Sequence, residues 1–189
     1  MTVRLLWQIL YWTWVASEVI IGFATHTKVG DGPTHDRGSL SLLWITIFTS
    51  VTLATWLGET TPPSMFGGVR ALKINGLIVL IMALAIRWTA ICSLGKSFSS
   101  NVAIRDSQKL YRSGLYRFVR HPSYLGLLLV FLAIGLHSRN WLSFAIVVIP
   151  CTAAVLYRIH VEESALRQAF GGEYLAYSRA TKRLLPGLY

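Results

Sequence analysis

The chain has 189 residues, 53% of them hydrophobic and only 14% charged, with a mean hydropathy of +0.51. That balance excludes an ordinary soluble domain and fits a polytopic membrane protein. The formal net charge of +10 does not mark a nucleic-acid module, because most Lys and Arg lie between or after apolar runs rather than on one soluble face.

Residues 5–23 form the first predicted span, rich in Trp and carrying one acid, Glu18. A carboxylate inside a membrane is costly and faces protein or water, so Glu18 is either a functional group or a helix-packing contact. No small-x-small cleavage site follows this stretch. The loop 25–39 holds His26 and His35 at no tight metal-ligand spacing. A second span, 40–57, is ended by the Gly/Pro/Thr loop 58–68. The third runs from about 71 to 94, with Lys73 and Arg87 near its ends, where long cations snorkel to the headgroups. Cys92 and Cys151 lie in apolar runs without CxxC or Cys/His spacing, which predicts neither a disulfide framework nor a metal site.

The polar, basic segment 95–120 leads into a corner, Gly114-Leu-Tyr116-Arg-Phe-Val-Arg120-His121-Pro122-Ser123-Tyr124. Pro122 is suited to the first position of a helix, where its missing N–H costs nothing. The residue before a proline is pushed out of the helical region, so His121 is predicted in an extended or turn conformation. The fourth span, 122–136, is short for a bilayer. The turn His137-Ser138-Arg139-Asn140 joins it to a fifth span, 141–157, predicted to continue as helix until Gly171-Gly172. Positive charge concentrates in 28–37, in 95–120 and in the tail. The positive-inside rule then puts the N-terminus outside and the C-terminus in the cytoplasm. The hairpin of spans four and five brings segment 95–120 and the tail to one membrane face, where their polar residues can build one site.

In the tail, Arg158 and Glu162 stand four residues apart on one helix face. They are either a surface ion pair or part of a site beside the membrane. Leu166, Phe170, Tyr174 and Tyr177 recur at helical spacing, and such an apolar stripe predicts packing.

Leu110-x3-Gly114-x-Tyr116-x3-Arg120-His121-Pro122-x-Tyr124, followed by Glu162-Glu163-x2-Leu166-x3-Phe170-Gly171-x-Glu173-Tyr174-x2-Tyr177, resembles the isoprenylcysteine carboxyl methyltransferase family. The resemblance covers residues 95–186. It implies a single all-α integral membrane domain of about five transmembrane helices, residues 1–94 forming its first part and 95–189 its catalytic part. A cofactor pocket on the cytoplasmic side would be formed by the 95–124 segment and the C-terminal tail. The implied enzyme takes S-adenosylmethionine without a Rossmann domain, and the chain has no GxGxxG after a strand. The implied cofactor contacts are Gln108, Lys109, Leu110, Tyr111, Tyr116, His121, Pro122, Ser123, Tyr124 and Glu162, and the implied catalytic residues are Arg158 and Glu162, with Arg158 meeting the substrate carboxylate. The implied partners are a prenylated or other lipophilic carboxylate arriving from the bilayer, and membrane lipids, with no nucleic acid. Two alternatives carry similar boxes: a phospholipid or amine N-methyltransferase, and an NADPH-dependent membrane sterol or enone reductase.

Overall fold

The computed structural model describes residues 2–25, 38–64, 68–95 and 110–187. His26, His35, Gln108 and Lys109 lie outside the described residues. Within them the chain is helical: α1 Val3–Ala24, α2 Ser39–Thr60, α3 Val69–Leu94, α4 Pro122–Ser138 and α5 Trp141–Ala180, with one 3-10 turn, Gly114–Arg117, ahead of α4. Among the described residues, α1, α2, α3 and α5 are long and apolar enough to cross a membrane, and α4 is a shorter apolar helix. Side chains are distributed inside-out. Phe23, Phe48 and Ile149 are 84%, 73% and 66% exposed, whereas Glu18, Arg87 and Arg158 are 4%, 6% and 1% exposed. Apolar groups outside and ionisable groups inside suit lipid rather than water as the surrounding solvent, and the protein is a multi-pass membrane protein.

Local signals set the helix ends. Pro122 opens α4, and His121 before it is non-helical, with φ −126° and ψ 57°. Arg139 turns the chain in the left-handed region at φ 57°. Asn140 then caps α5, its side-chain oxygen accepting from the Leu142 and Ser143 amides at 2.9 and 3.1 Å. One end of the bundle therefore gathers the end of α1, the start of α2, the end of α3 and the start of α4. The loop read at 58–68 begins later than the sequence suggests, because α2 runs on to Thr60. Gly58 lies within it against α4, where an added Cβ would meet that of Ser138 at 3.0 Å.

The 17 residues of α4 span about 25 Å at 1.5 Å each, less than a hydrocarbon core of about 30 Å. It is the central helix, packed on α3, α5 and α2. Its closest approach to α3 is at Gly126, where a methyl group would lie 2.7 Å from Arg87 Cβ, 2.8 Å from Arg87 N and 2.9 Å from the Ala83 carbonyl oxygen. Two of those atoms are backbone and cannot swing aside. Gly126→Ala is therefore expected to cost about 1–3 kcal/mol, read as a lower melting temperature in detergent. Gly22→Ala is the control and is expected to lose nothing, since no atom of the described residues lies within 4 Å of its added carbon.

The stretch of α5 ahead of Gly171, residues 141–170, extends about 45 Å, more than a hydrocarbon thickness of about 30 Å, so its far end projects beyond the membrane. The helix continues through the predicted stretch to Gly171, whose φ of 49° and ψ of −122° kink it. A side-chain-bearing residue there would be strained. The kink turns the last helical segment back towards the corner that precedes α4.

Candidate active site

The corner and the tail are joined along their backbones. Arg120 N donates to the Lys182 carbonyl at 2.8 Å, and His121 N to that of Arg183 at 3.0 Å. The Tyr177 hydroxyl donates to the Tyr116 carbonyl at 2.6 Å. Arg120 Nη1 donates to the Ser178 carbonyl at 2.9 Å and also to that of Thr181. The meeting of segment and tail inferred from the hairpin is thus present for the described part of the segment, residues 110–121.

Glu163 locks this junction. It is 1% exposed and accepts from Arg120 Nε at 3.1 Å, from Arg183 Nη2 at 3.0 Å and from Arg167 Nη2 at 3.1 Å. His121 Nε2 lies 3.4 Å from the same carboxylate. Sequence reasoning passed over this residue in favour of Glu162. The Arg167 spacing of i, i+4 was a readable signal, but two of the guanidiniums come from 43 residues upstream and 20 downstream.

Beside the junction is a cavity of about 530 Å³, its open mouth included, lined by Leu94, Leu110, Tyr111, Tyr116, Arg120, His121, Glu162, Leu166, Phe170, Tyr174 and Tyr177. Five residues expected at a cofactor therefore share one wall: Leu110, Tyr111, Tyr116, His121 and Glu162. The stripe Leu166, Phe170, Tyr174 and Tyr177, expected to serve packing, also lines the cavity. Burial, and next the Glu162 carboxylate, push the Tyr116 hydroxyl well above its ordinary pKa. Tyr116 is therefore a neutral phenol, its ring meeting Tyr111 edge to face at 5.5 Å. The Tyr174 hydroxyl is buried with no partner among the described residues.

A second space of about 530 Å³, mouth included, lies further into the helical bundle and is lined by residues of all five helices, including Glu18, Ile21, Gly22, Leu40, Leu43, Trp44, Ile47, Arg87, Ser123, Tyr124, Leu127 and Arg158. Pro122, expected at a cofactor, is buried at the helix start between the two spaces, while Ser123 and Tyr124 face the inner one. Arg158 Nε donates to the Tyr124 hydroxyl at 3.3 Å, and Arg158 Nη1 to Ser39 Oγ. The Tyr124 ring lies 5.8 Å from that of His121. Arg158 thus faces the inner cavity, and Glu162, one turn further along α5, lines the outer one.

Arg87 corrects the expectation of a snorkelling cation. It is buried, donates to Glu18 through Nε and Nη2, the latter at 2.6 Å, and reaches the Ser123 carbonyl through Nη1 at 2.9 Å. Trp14 Nε1 donates to the same carboxylate at 3.2 Å. The physical reason is the crossing of α3 with α4: at Gly126 the two backbones are so close that Arg87 is turned inward beneath the first turn of α4. Glu18 is therefore a packing contact that also faces the inner cavity.

Residues 76–168 match the model of the isoprenylcysteine carboxyl methyltransferase (ICMT) family. Protein-S-isoprenylcysteine O-methyltransferase B of Arabidopsis thaliana is 35% identical over 116 residues, which are 59% of this chain and 57% of that one. Its A counterpart from the same plant is 33% identical over 113 residues, 59% of this chain and 57% of the relative. The solved structure of the eukaryotic intramembrane Ras methyltransferase ICMT superposes with a TM-score of 0.57 at 24% identity, covering 78% of this chain and 52% of that chain. At that identity the likeness shows the shared membrane-helical fold. The chain spans just over half the length of the curated relatives it matches.

Proposed function

We propose that this chain, whose residues 76–168 match the isoprenylcysteine carboxyl methyltransferase family model, is an S-adenosylmethionine-dependent O-methyltransferase that esterifies the carboxylate of a prenylated or other lipophilic substrate. The observation that carries the reading is the placing of Glu162 in the outer cavity and of Arg158, four residues before it on α5, in the inner one, where the Tyr124 hydroxyl accepts from Arg158 Nε at 3.3 Å. The outer cavity suits the cofactor. Its aromatic walls offer flat faces to an adenine, and Glu162 favours a cationic ligand. The Tyr174 hydroxyl, without a partner among the described residues, is a donor available to a ligand. Bound there, S-adenosylmethionine would supply a sulfonium methyl group to a carboxylate oxygen, giving a methyl ester and a neutral thioether.

The chain's own task is to bring the two together and keep water away. A carboxylate is already ionised at neutral pH, with a reference pKa of about 4, so no general base is required. Arg158, held by Tyr124 and Ser39, presents a planar guanidinium that orients a carboxylate from the inner cavity. The apolar wall of Ile21, Leu40, Leu43, Trp44 and Ile47 receives the lipid part, and α1 rests on α3, which leaves its flank towards α2 for lateral access. The abundance of cations on the 95–120 segment and the tail supports a cytoplasmic position for this end.

The test is binding and product analysis on the full chain in detergent. S-adenosylhomocysteine at 100 times its Kd is expected to stabilise the protein by about 2.7 kcal/mol, seen as a raised melting temperature, while NADPH leaves it unchanged. Glu162→Gln is expected to reduce that shift. A shift with NADPH alone would overturn the reading. Mass spectrometry of membranes given methyl-labelled cofactor should find the label in a base-labile ester rather than in a methylated amine.

A further inference from the structure

The end of the bundle opposite the candidate active site holds a second set of polar groups that neither cavity uses. His137, in the last turn of α4, lies flat on Trp7 of α1, the ring centroids 3.7 Å apart and the planes 6° from parallel. Its backbone is pressed against α3, where a methyl group on Gly76 would meet His137 N at 3.3 Å. Lys73, one turn before Gly76 on the same face of α3, and Arg139 both act electrostatically on the His137 ring. Among the described residues, His137 Nδ1 and Arg139 Nε are both buried with no hydrogen-bond partner.

Two buried nitrogen atoms, two residues apart and beside a lysine, call for an acceptor that the described residues do not supply. Charge points the same way. Arg4, Arg70, Lys73 and Arg139 all belong to this end, and among the described residues Glu59 is the acid placed there. The acceptor is therefore an anion. The site lies at helix ends, at the depth of lipid headgroups, where the abundant anion is a phosphate ester.

We propose that Lys73, His137 and Arg139 bind the phosphate group of an anionic phospholipid at the membrane face opposite the candidate active site. Lys73 supplies a point charge, Arg139 a directed N–H, and the His137 ring a donor at Nδ1 when its proton sits there. Bound in this way, the headgroup bridges α3 and α4 at the end where α1 is stacked on them.

The full chain in detergent would be tested with phosphatidylglycerol, phosphatidylcholine and inorganic phosphate, reading the melting temperature and the lipid retained in native mass spectrometry. Phosphatidylglycerol should raise the melting temperature and be retained more strongly than phosphatidylcholine. The double variant Lys73→Gln/Arg139→Gln should retain it roughly 10- to 30-fold less well, as expected for two cations near a membrane surface. His137→Phe, which keeps a ring against Trp7, should also weaken retention. A shift with inorganic phosphate alone that the double variant loses would support the same site with a soluble occupant. Three results would overturn the proposal: equal retention of the two lipids, undiminished retention by the double variant, or an equal loss in Arg4→Gln/Arg70→Gln, which would mean general surface charge.

Discussion

Arg158→Leu is expected to lower carboxyl methylation by about 100-fold or more, the scale on which loss of substrate positioning acts, while binding of S-adenosylhomocysteine persists. The guanidinium is 1% exposed and tied to Tyr124 and Ser39, so it is fixed before any substrate arrives. Leucine fills much of the space without the planar donor pair. Arg158→Lys keeps the charge but not the fork, and an intermediate rate is expected. The rates are read from labelled ester formed per mole of protein, and the folded state from the thermal shift with S-adenosylhomocysteine. Unchanged ester formation in Arg158→Leu would remove the carboxylate-binding role. Sustained methyl transfer to an amine in that variant would point to N-methylation.

Glu163→Gln is expected to destabilise the protein by about 3–5 kcal/mol, the cost of leaving buried charges without their counter-charge. Arg120, 10% exposed at its side chain, and the buried His121 would lose the carboxylate that faces them. The melting temperature should fall, and the junction of residues 119–121 with 182–183 should become open to protease. Glu163→Asp shortens the reach and should lie between the two. Arg167→Ala removes the partner whose side chain is 49% exposed and should cost under about 1 kcal/mol. A Glu163→Gln protein with wild-type melting would show that the backbone bonds of the junction suffice alone.

The helical course of the chain was legible because its punctuation is local. Pro122 states where α4 begins, Asn140 where α5 begins, and Gly171 where α5 bends. The hairpin between α4 and α5 then implied that the corner and the tail meet. Pairings that depend on how helices cross were not legible. Arg87 lies seven residues from the end of α3, and depth along a helix suggested a cation reaching for headgroups; its azimuth, set by the tight α3–α4 crossing, turned it to Glu18 instead. Glu162 and Glu163 differ by one position, about 100° around the helix, and only the fold decides that one lines a cavity while the other is enclosed by cations. The stripe from Leu166 to Tyr177 was read as packing because periodicity reports an apolar face and not what lies opposite it; the bend at Gly171 sets that face over a cavity.

The Glu18–Arg87 pair also bears on how the protein is made. Glu18 leaves the ribosome 69 residues ahead of its partner. A lone acid at mid-helix raises the cost of insertion by roughly 2.5–3.5 kcal/mol, and α1 has the lowest hydropathy of the four long helices. Its stable seating in lipid is thereby tied to the presence of α3, whose Arg87 supplies the counter-charge.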